Sequence, residues 1–196
     1  MESLLRGLNL PVHEGLSAPL SKAIAEHNAD SARTLEGVRH HDDVAKKFAS
    51  GDIEAGDLAT AVESKKMNEL VVAQAAPALW RQRGELARDA QTELAEAIEP
   101  LQAKHDKAFA AASRALDKAG LTVEAMPAGQ SNGQAAQRQR DQIVSQCLPV
   151  VAARAALQDA KARVQAAANL ASDSKRGEEA ARHHLAKTAT QAAGVA

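Results

Sequence analysis

Two adjacent histidine pairs, His40-His41 and His183-His184, are the side chains in this sequence best suited to hold a metal ion, and a glutamate stands four residues before each, at Glu36 and Glu179. Side chains four apart share a helix face, so each glutamate would lie over the first histidine of its pair. Neighbouring histidines point about 100° apart, so a pair offers one ligand to each of two faces and is no chelate. Helical di-metal carboxylate proteins use Glu-x-x-His spacing with further inward glutamates, and neither pair has that spacing. Exposed histidines beside acids are the simpler reading, and no metal is assigned. His105 differs because it falls on an apolar helical stripe, where it reads as an interfacial histidine with a hydrogen-bond partner.

Other chemistries have less to stand on. The chain has no Gly-x-Ser-x-Gly nucleophile motif, no Gly-x-x-x-x-Gly-Lys phosphate loop and no glycine-rich dinucleotide turn. Carboxylate pairs such as Glu96 with Glu99 and Asp42 with Asp43 arise by chance on acid-rich helices. Cys147 is the only cysteine. It therefore forms no internal disulfide and no Cys-x-x-Cys motif, and it reads as a small hydrophobe. No catalytic residue and no cofactor are assigned, and the chain is expected not to be an enzyme. Arg138 and Arg140 open a basic helix and are the best candidates for nucleic acid, but Asp141 stands beside them and two arginines neutralise little phosphate. One Trp, two Phe and no Tyr supply few stacking platforms.

The elements that would have to position any such group are alanine-rich helices. Of 196 residues 88 are apolar, but 46 of these are alanine, leaving 42 larger side chains to fill a core. A net charge of −1 argues against disorder. That neutrality hides a division. Residues 1–100 carry 11 Lys and Arg against 17 Asp and Glu, and residues 101–196 carry 13 against 8, so the acidic half is expected to face the basic half in the same chain or a neighbour. No window approaches the roughly 18 apolar residues of a membrane span, and the N-terminus lacks the basic start of a signal peptide. The expected location is the cytoplasm, or a particle assembled there, with no membrane partner.

Residues 1–16, with Leu4, Leu5, Leu8 and Leu10, read as an arm or docking segment. A helical unit follows over 17–121. Its first helix is expected to start at Ser17 and stop at Gly51, with Gly37 making an interrupted pair nearly as good a reading. Asp52 or Asp57 would cap the next helix, which runs to Ala119. Gly120 would end it, with Leu121 folded back on Leu116. Pro77 and Pro100 should each kink or break it. Its stripe steps by four, three and four through Leu79, Arg83, Leu86, Ala90, Leu94, Ala97, Leu101, His105, Ala108, Ala112, Leu116 and Ala119, with Ile98 and Phe109 on one flank. Closing every 11 residues, it suits a straight or slightly right-handed pairing. Trp80 reads as the bulky anchor of a helix contact.

Residues 122–133 read as a flexible connection, and 134–196 as a C-terminal helical unit and tail. There Ile143, Val150, Leu157, Val164 and Ala171 recur every seven, facing smaller residues three further on. Pro149 interrupts this seam. A second break is expected at Ala171 to Ser174, with Gly177 opening a last short helix.

The expectation is an all-α fold of long, kinked, alanine-rich helices in an elongated antiparallel coiled coil or open bundle. The expected role is assembly: a scaffold, adaptor or decoration protein, of the kind found in phage or prophage particles, acting as a homo-oligomer or in a larger assembly. The interface would use Leu79, Trp80, Leu86, Leu94, Ile98, Leu101, Phe109, Leu116, Ile143, Val150, Leu157 and Val164. A nucleic-acid accessory role through Arg138 and Arg140 is the alternative, and a helical-bundle metal protein the second.

Overall fold

Local chemistry at the helix ends sets the frame. Ser17 precedes the first helix, α1 (Ala18–Ala49), and its hydroxyl accepts weakly from the Leu20 amide at 3.4 Å. Gly51 ends it with φ +83°, and the Asp52 amide returns to the Lys47 carbonyl at 2.9 Å. That is the closure a left-handed glycine permits. Gly37 does not interrupt α1, which is one helix. The next helix, α2 (Ala55–Glu96), starts between the two aspartates, so Asp57 sits in its first turn.

Proline explains the following break. Ala97 stands between α2 and α3 (Ile98–Lys118), and Pro100 occupies the third position of α3. A proline there has no N–H for the Glu96 carbonyl, and its ring crowds that carbonyl, so one helix ends and another begins. Pro77 lies inside α2 and Pro149 inside α4 (Gln134–Ala193), and neither divides its helix. Gly120, φ +63°, ends α3 as expected.

The computed structural model describes residues 5–52, 55–120 and 134–193, and over these the chain is an all-α bundle with no strand. The flexible connection assigned to 122–133, and the return of Leu121 to Leu116, lie outside the described residues. The break expected at Ala171 to Ser174 does not occur, since α4 runs unbroken from Gln134 to Ala193. Ser174 is buried and its hydroxyl donates to the Leu170 carbonyl at 2.6 Å. A serine that bonds back one turn in this way is satisfied within the helix and no longer favours leaving it.

Two units emerge from the contacts. One joins Met1–Gln91 to Gln165–Ala196, and the other is Thr92–Val164. Both α2 and α4 supply residues to each unit.

In the first unit α2 runs antiparallel to both α1 and α4. Trp80, Val72 and Ala76 of α2 pack with Ala181 of α4 and with Leu35 and Val38 of α1. Further along α2, Leu86, Ala87 and Ala90 pack with Leu20 and Ile24 of α1 and with Leu170 and Ala171 of α4. The arm completes this unit, with Leu5, Leu8 and Leu10 all buried. Residues 6–17 form no helix, so their backbone must find other partners. Asn28 clasps Leu10, its Oδ1 accepting from the Leu10 amide and its Nδ2 donating to the Leu10 carbonyl, each at 2.9 Å. His27, fully buried, donates from Nε2 to the Leu8 carbonyl at 3.0 Å.

In the second unit Leu116, near the end of α3, packs against Ile143 and Cys147 near the start of α4, and Ala153 and Leu157 further along α4 are buried too, as an antiparallel pair requires.

Candidate functional site

Trp80 is the chain's one tryptophan, and its ring belongs to one of the two apolar clusters of the first unit. Gly177 of α4 lies directly against it. A Cβ on residue 177 would come to 2.5 Å from Trp80 Cε3 and 2.6 Å from Cε2, well inside the 3.5–4.0 Å at which carbon atoms rest. Glycine is therefore required here for close approach, and it stays helical. One turn along α2, Gly84 plays the same part, since a Cβ there would stand 3.1 Å from the Ser174 Cβ.

Arg83 fills the polar part of this contact. Its guanidinium lies over the Trp80 ring at 5.2 Å from the centroid. Nη1 donates to the Leu170 carbonyl at 2.9 Å and to Ser174 Oγ at 2.6 Å. Burial pulls the Arg83 pKa below the usual guanidinium range, and Asp173 nearby offsets part of this. The group stays cationic all the same. Arg83 Nε is buried without a partner among the described residues. Arg81 adds an exposed pair with Glu178 at 3.1 Å, in which the base comes from the acidic half and the acid from the basic half, the reverse of the expected polarity.

This arrangement predicts an asymmetry between two substitutions. Ser174→Ala removes an acceptor from a buried cation and is expected to cost about 1–3 kcal/mol. Arg83→Met removes the cation itself and leaves Ser174 still bonded to Leu170, so it is expected to change stability by less than about 1 kcal/mol, as replacement of buried charge by a fitting apolar chain often does. Urea unfolding of both variants measures the difference, and an Arg83→Met loss larger than that of Ser174→Ala would contradict it.

Most residues assigned to an interface from the sequence lie inside the chain's own packing. Trp80, Leu86, Leu94, Leu116, Ile143 and Leu157 are buried. Leu79, Ile98, Leu101, Val150 and Val164 are half-buried. Leu79 and Trp80 share one cluster, Leu86 lies in a second, and Leu116 meets Ile143 in a third. Phe109 alone of the set is open, at 61% exposure.

The second unit has an open apolar surface that the seam did not include. Val144 is 54% exposed, Leu148 59% and Val151 61%. Spaced by four and three, they form one row along α4, a signal present in the sequence but masked by the adjacent seam through Ile143 and Val150 and by Pro149 in its midst. On α3 the ring of His105 stacks near Phe109 with centroids 6.4 Å apart. His105 Nδ1 lies 3.1 Å from Asp106 Oδ1, and Gln102 Nε2 donates to the same oxygen at 2.9 Å. These bonds, that from His105 first, hold the Asp106 carboxyl below the ordinary aspartate range.

The polar candidates are not gathered. Glu36, Glu179 and His183 are exposed and His184 is half-buried, while the His40 and His41 side chains lie outside what is described. Among the described residues no three His, Cys, Asp or Glu side chains come together as metal ligands would. Arg138, Arg140 and Asp141 are exposed on α4. No described helix is long and apolar enough to cross a membrane. Compared with protein families, with curated proteins and with solved structures, the chain shows no match.

Proposed function

We propose that the protein is a non-enzymatic assembly subunit, which associates with copies of itself, alone or as the scaffold, adaptor or decoration component of a larger particle such as that of a phage. The observation that carries this reading is the open row Val144, Leu148 and Val151, with Phe109 on the neighbouring helix. Single exposed aliphatics are ordinary on a protein surface, whereas several gathered on one small unit mark a place where another surface packs. Here they fall on a pair of helices, while the first unit covers its Trp80 and Leu86 clusters with an arm and a third helix. The second unit therefore has room for a further helix, and association would supply it.

Val144→Glu, Leu148→Glu and Val151→Glu together test the reading. All three positions are exposed, so the triple variant is expected to keep its helical circular dichroism and, at concentrations where the unsubstituted protein is dissociated, its unfolding midpoint. Sedimentation equilibrium should show association in the unsubstituted protein and its loss in the variant. Equal association constants for the two would count against the reading.

The alternative, a nucleic-acid accessory role, is favoured by Arg138 and Arg140, which are exposed on the same helix. It requires retention on DNA or RNA that falls steeply with salt.

A further inference from the structure

The charges of the second unit are sorted by side. The contact of Leu116 with Ile143 and Cys147 sets the register of the antiparallel helices α3 and α4. Ten residues back along α3 is Asp106, and about ten residues on along α4 is Arg154, so these two lie level. Phe109 and Val151 lie level by the same argument. The inward side of each helix is marked by its buried positions, Ala112 and Leu116 on α3 and Ile143, Ala153 and Leu157 on α4.

Turning by about 100° per residue from those positions puts Asp106, Phe109 and Asp117 on one flank of α3, and Arg140, Val144, Val151 and Arg154 on the corresponding flank of α4. Antiparallel neighbours present these two flanks on the same side of the pair. Lys104, Lys107 and Lys118 fall on the other flank of α3. One side of the unit thus has an acidic edge on α3 and a basic edge on α4, with three exposed apolar side chains among them. The four charged residues are exposed.

We propose that this side is the contact with a second copy of the chain, two pairs of helices lying face to face about a twofold axis parallel to the helices. The inference rests on the assembly reading and assigns its surface and symmetry. Such an axis lays α3 of one copy over α4 of the other, acidic edge on basic edge, and sets Asp106 against the partner's Arg154 and Phe109 against the partner's Val151. A twofold axis across the helices would instead lay α3 on α3, acid on acid, which is unfavourable. Both bonds received by Asp106 fall on Oδ1, which leaves Oδ2 for a guanidinium. Arg154 makes no ion pair among the described residues.

The area fits a second copy. At about 1.5 Å per residue α3 is about 30 Å long, and two helices side by side are about 20 Å wide. The face is then about 600 Å² per copy, and about 1,200 Å² in total is the low end of specific interfaces. The dimer is expected to dissociate on dilution through the micromolar range.

The test uses two full-length variants, Asp106→Arg and Arg154→Asp. Each alone sets like charges together in a dimer of its own kind, so each should be monomeric where the unsubstituted protein is dimeric. An equimolar mixture should form a dimer containing one of each, resolved by mass in native mass spectrometry, and the double variant should recover the homodimer. Phe109→Ser, which leaves the charges in place, should weaken the dimer at least tenfold. If the unsubstituted protein associates but the charge variants do so equally well, or their mixture stays monomeric, this interface is overturned and the assembly reading stands. If the unsubstituted protein is monomeric at every concentration, both are overturned.

Discussion

Trp80→Ala is expected to lower the stability of the chain by about 3–5 kcal/mol, the range for truncating a large buried aromatic. Its ring lies in the cluster that joins the arm, α2 and α4, with Leu35 and Val38 of α1 packed against that cluster. The arm reaches it at Gly7, where a Cβ would stand 3.8 Å from Cη2, α4 reaches it at Gly177, and Arg83 lies over its face. Ala76 and Ala181 are among the neighbours, and alanine has no longer rotamer with which to fill the space left behind. Small domains are stable by about 5–15 kcal/mol, so this one truncation would remove a large share. Urea unfolding followed by circular dichroism measures it. A loss under about 1 kcal/mol would mean that the ring is not the anchor described here.

Gly177→Ala is the second large effect, and its sign depends on Trp80. In an open helix interior alanine is better than glycine by about 0.8–1.0 kcal/mol. Against the ring, the new methyl would overlap Cε3 and Cε2. Overpacking of this kind costs about 1–3 kcal/mol, because the tryptophan or the helix must move. The expected result is net destabilisation in the unsubstituted protein and stabilisation by up to about 1 kcal/mol in the Trp80→Ala background. A double-mutant cycle isolates that coupling. The same sign in both backgrounds would contradict the contact.

Those two residues also show what the sequence could and could not convey. Chain ends of helices were legible because their causes are local: Gly51 and Gly120 adopt positive φ, and the residues around them carry the whole signal. The break at Ala97 was legible through Pro100 for the same reason. Ala171 to Ser174 and Gly177 carry equally strong local turn signals, yet α4 passes through them. What overrides the signal comes from elsewhere in the chain. Arg83 bonds Ser174 and the Leu170 carbonyl, and Trp80 needs the space that only glycine leaves. Periodicity names the apolar face but not the residue that faces it across 90 positions.

The same limit applies to the candidate surface. The stripe from Leu79 to Ala119 was legible as apolar, and its members Leu86, Leu94 and Leu116 are buried within the chain, as is Trp80 beside it. Sequence spacing cannot distinguish a residue that packs within its own chain from one left open to a partner. Val144, Leu148 and Val151 differ from Ile143 and Leu157 only by rotation about α4, and exposure tells the two sets apart. His27 left no pattern at all, since its role in holding the arm depends on the Leu8 carbonyl.

The first unit buries its Trp80 and Leu86 clusters, although Val12, Val62 and Val71 stay exposed on it, while the second gathers Phe109, Val144, Leu148 and Val151 on two helices as a surface for another copy. Native mass spectrometry of untagged, full-length protein over a concentration series through the micromolar range tests this contact most directly. A dimer or larger oligomer that grows with concentration and carries no added mass is the predicted result. A monomer at every concentration would mean that the exposed side chains of the second unit are not a contact between copies.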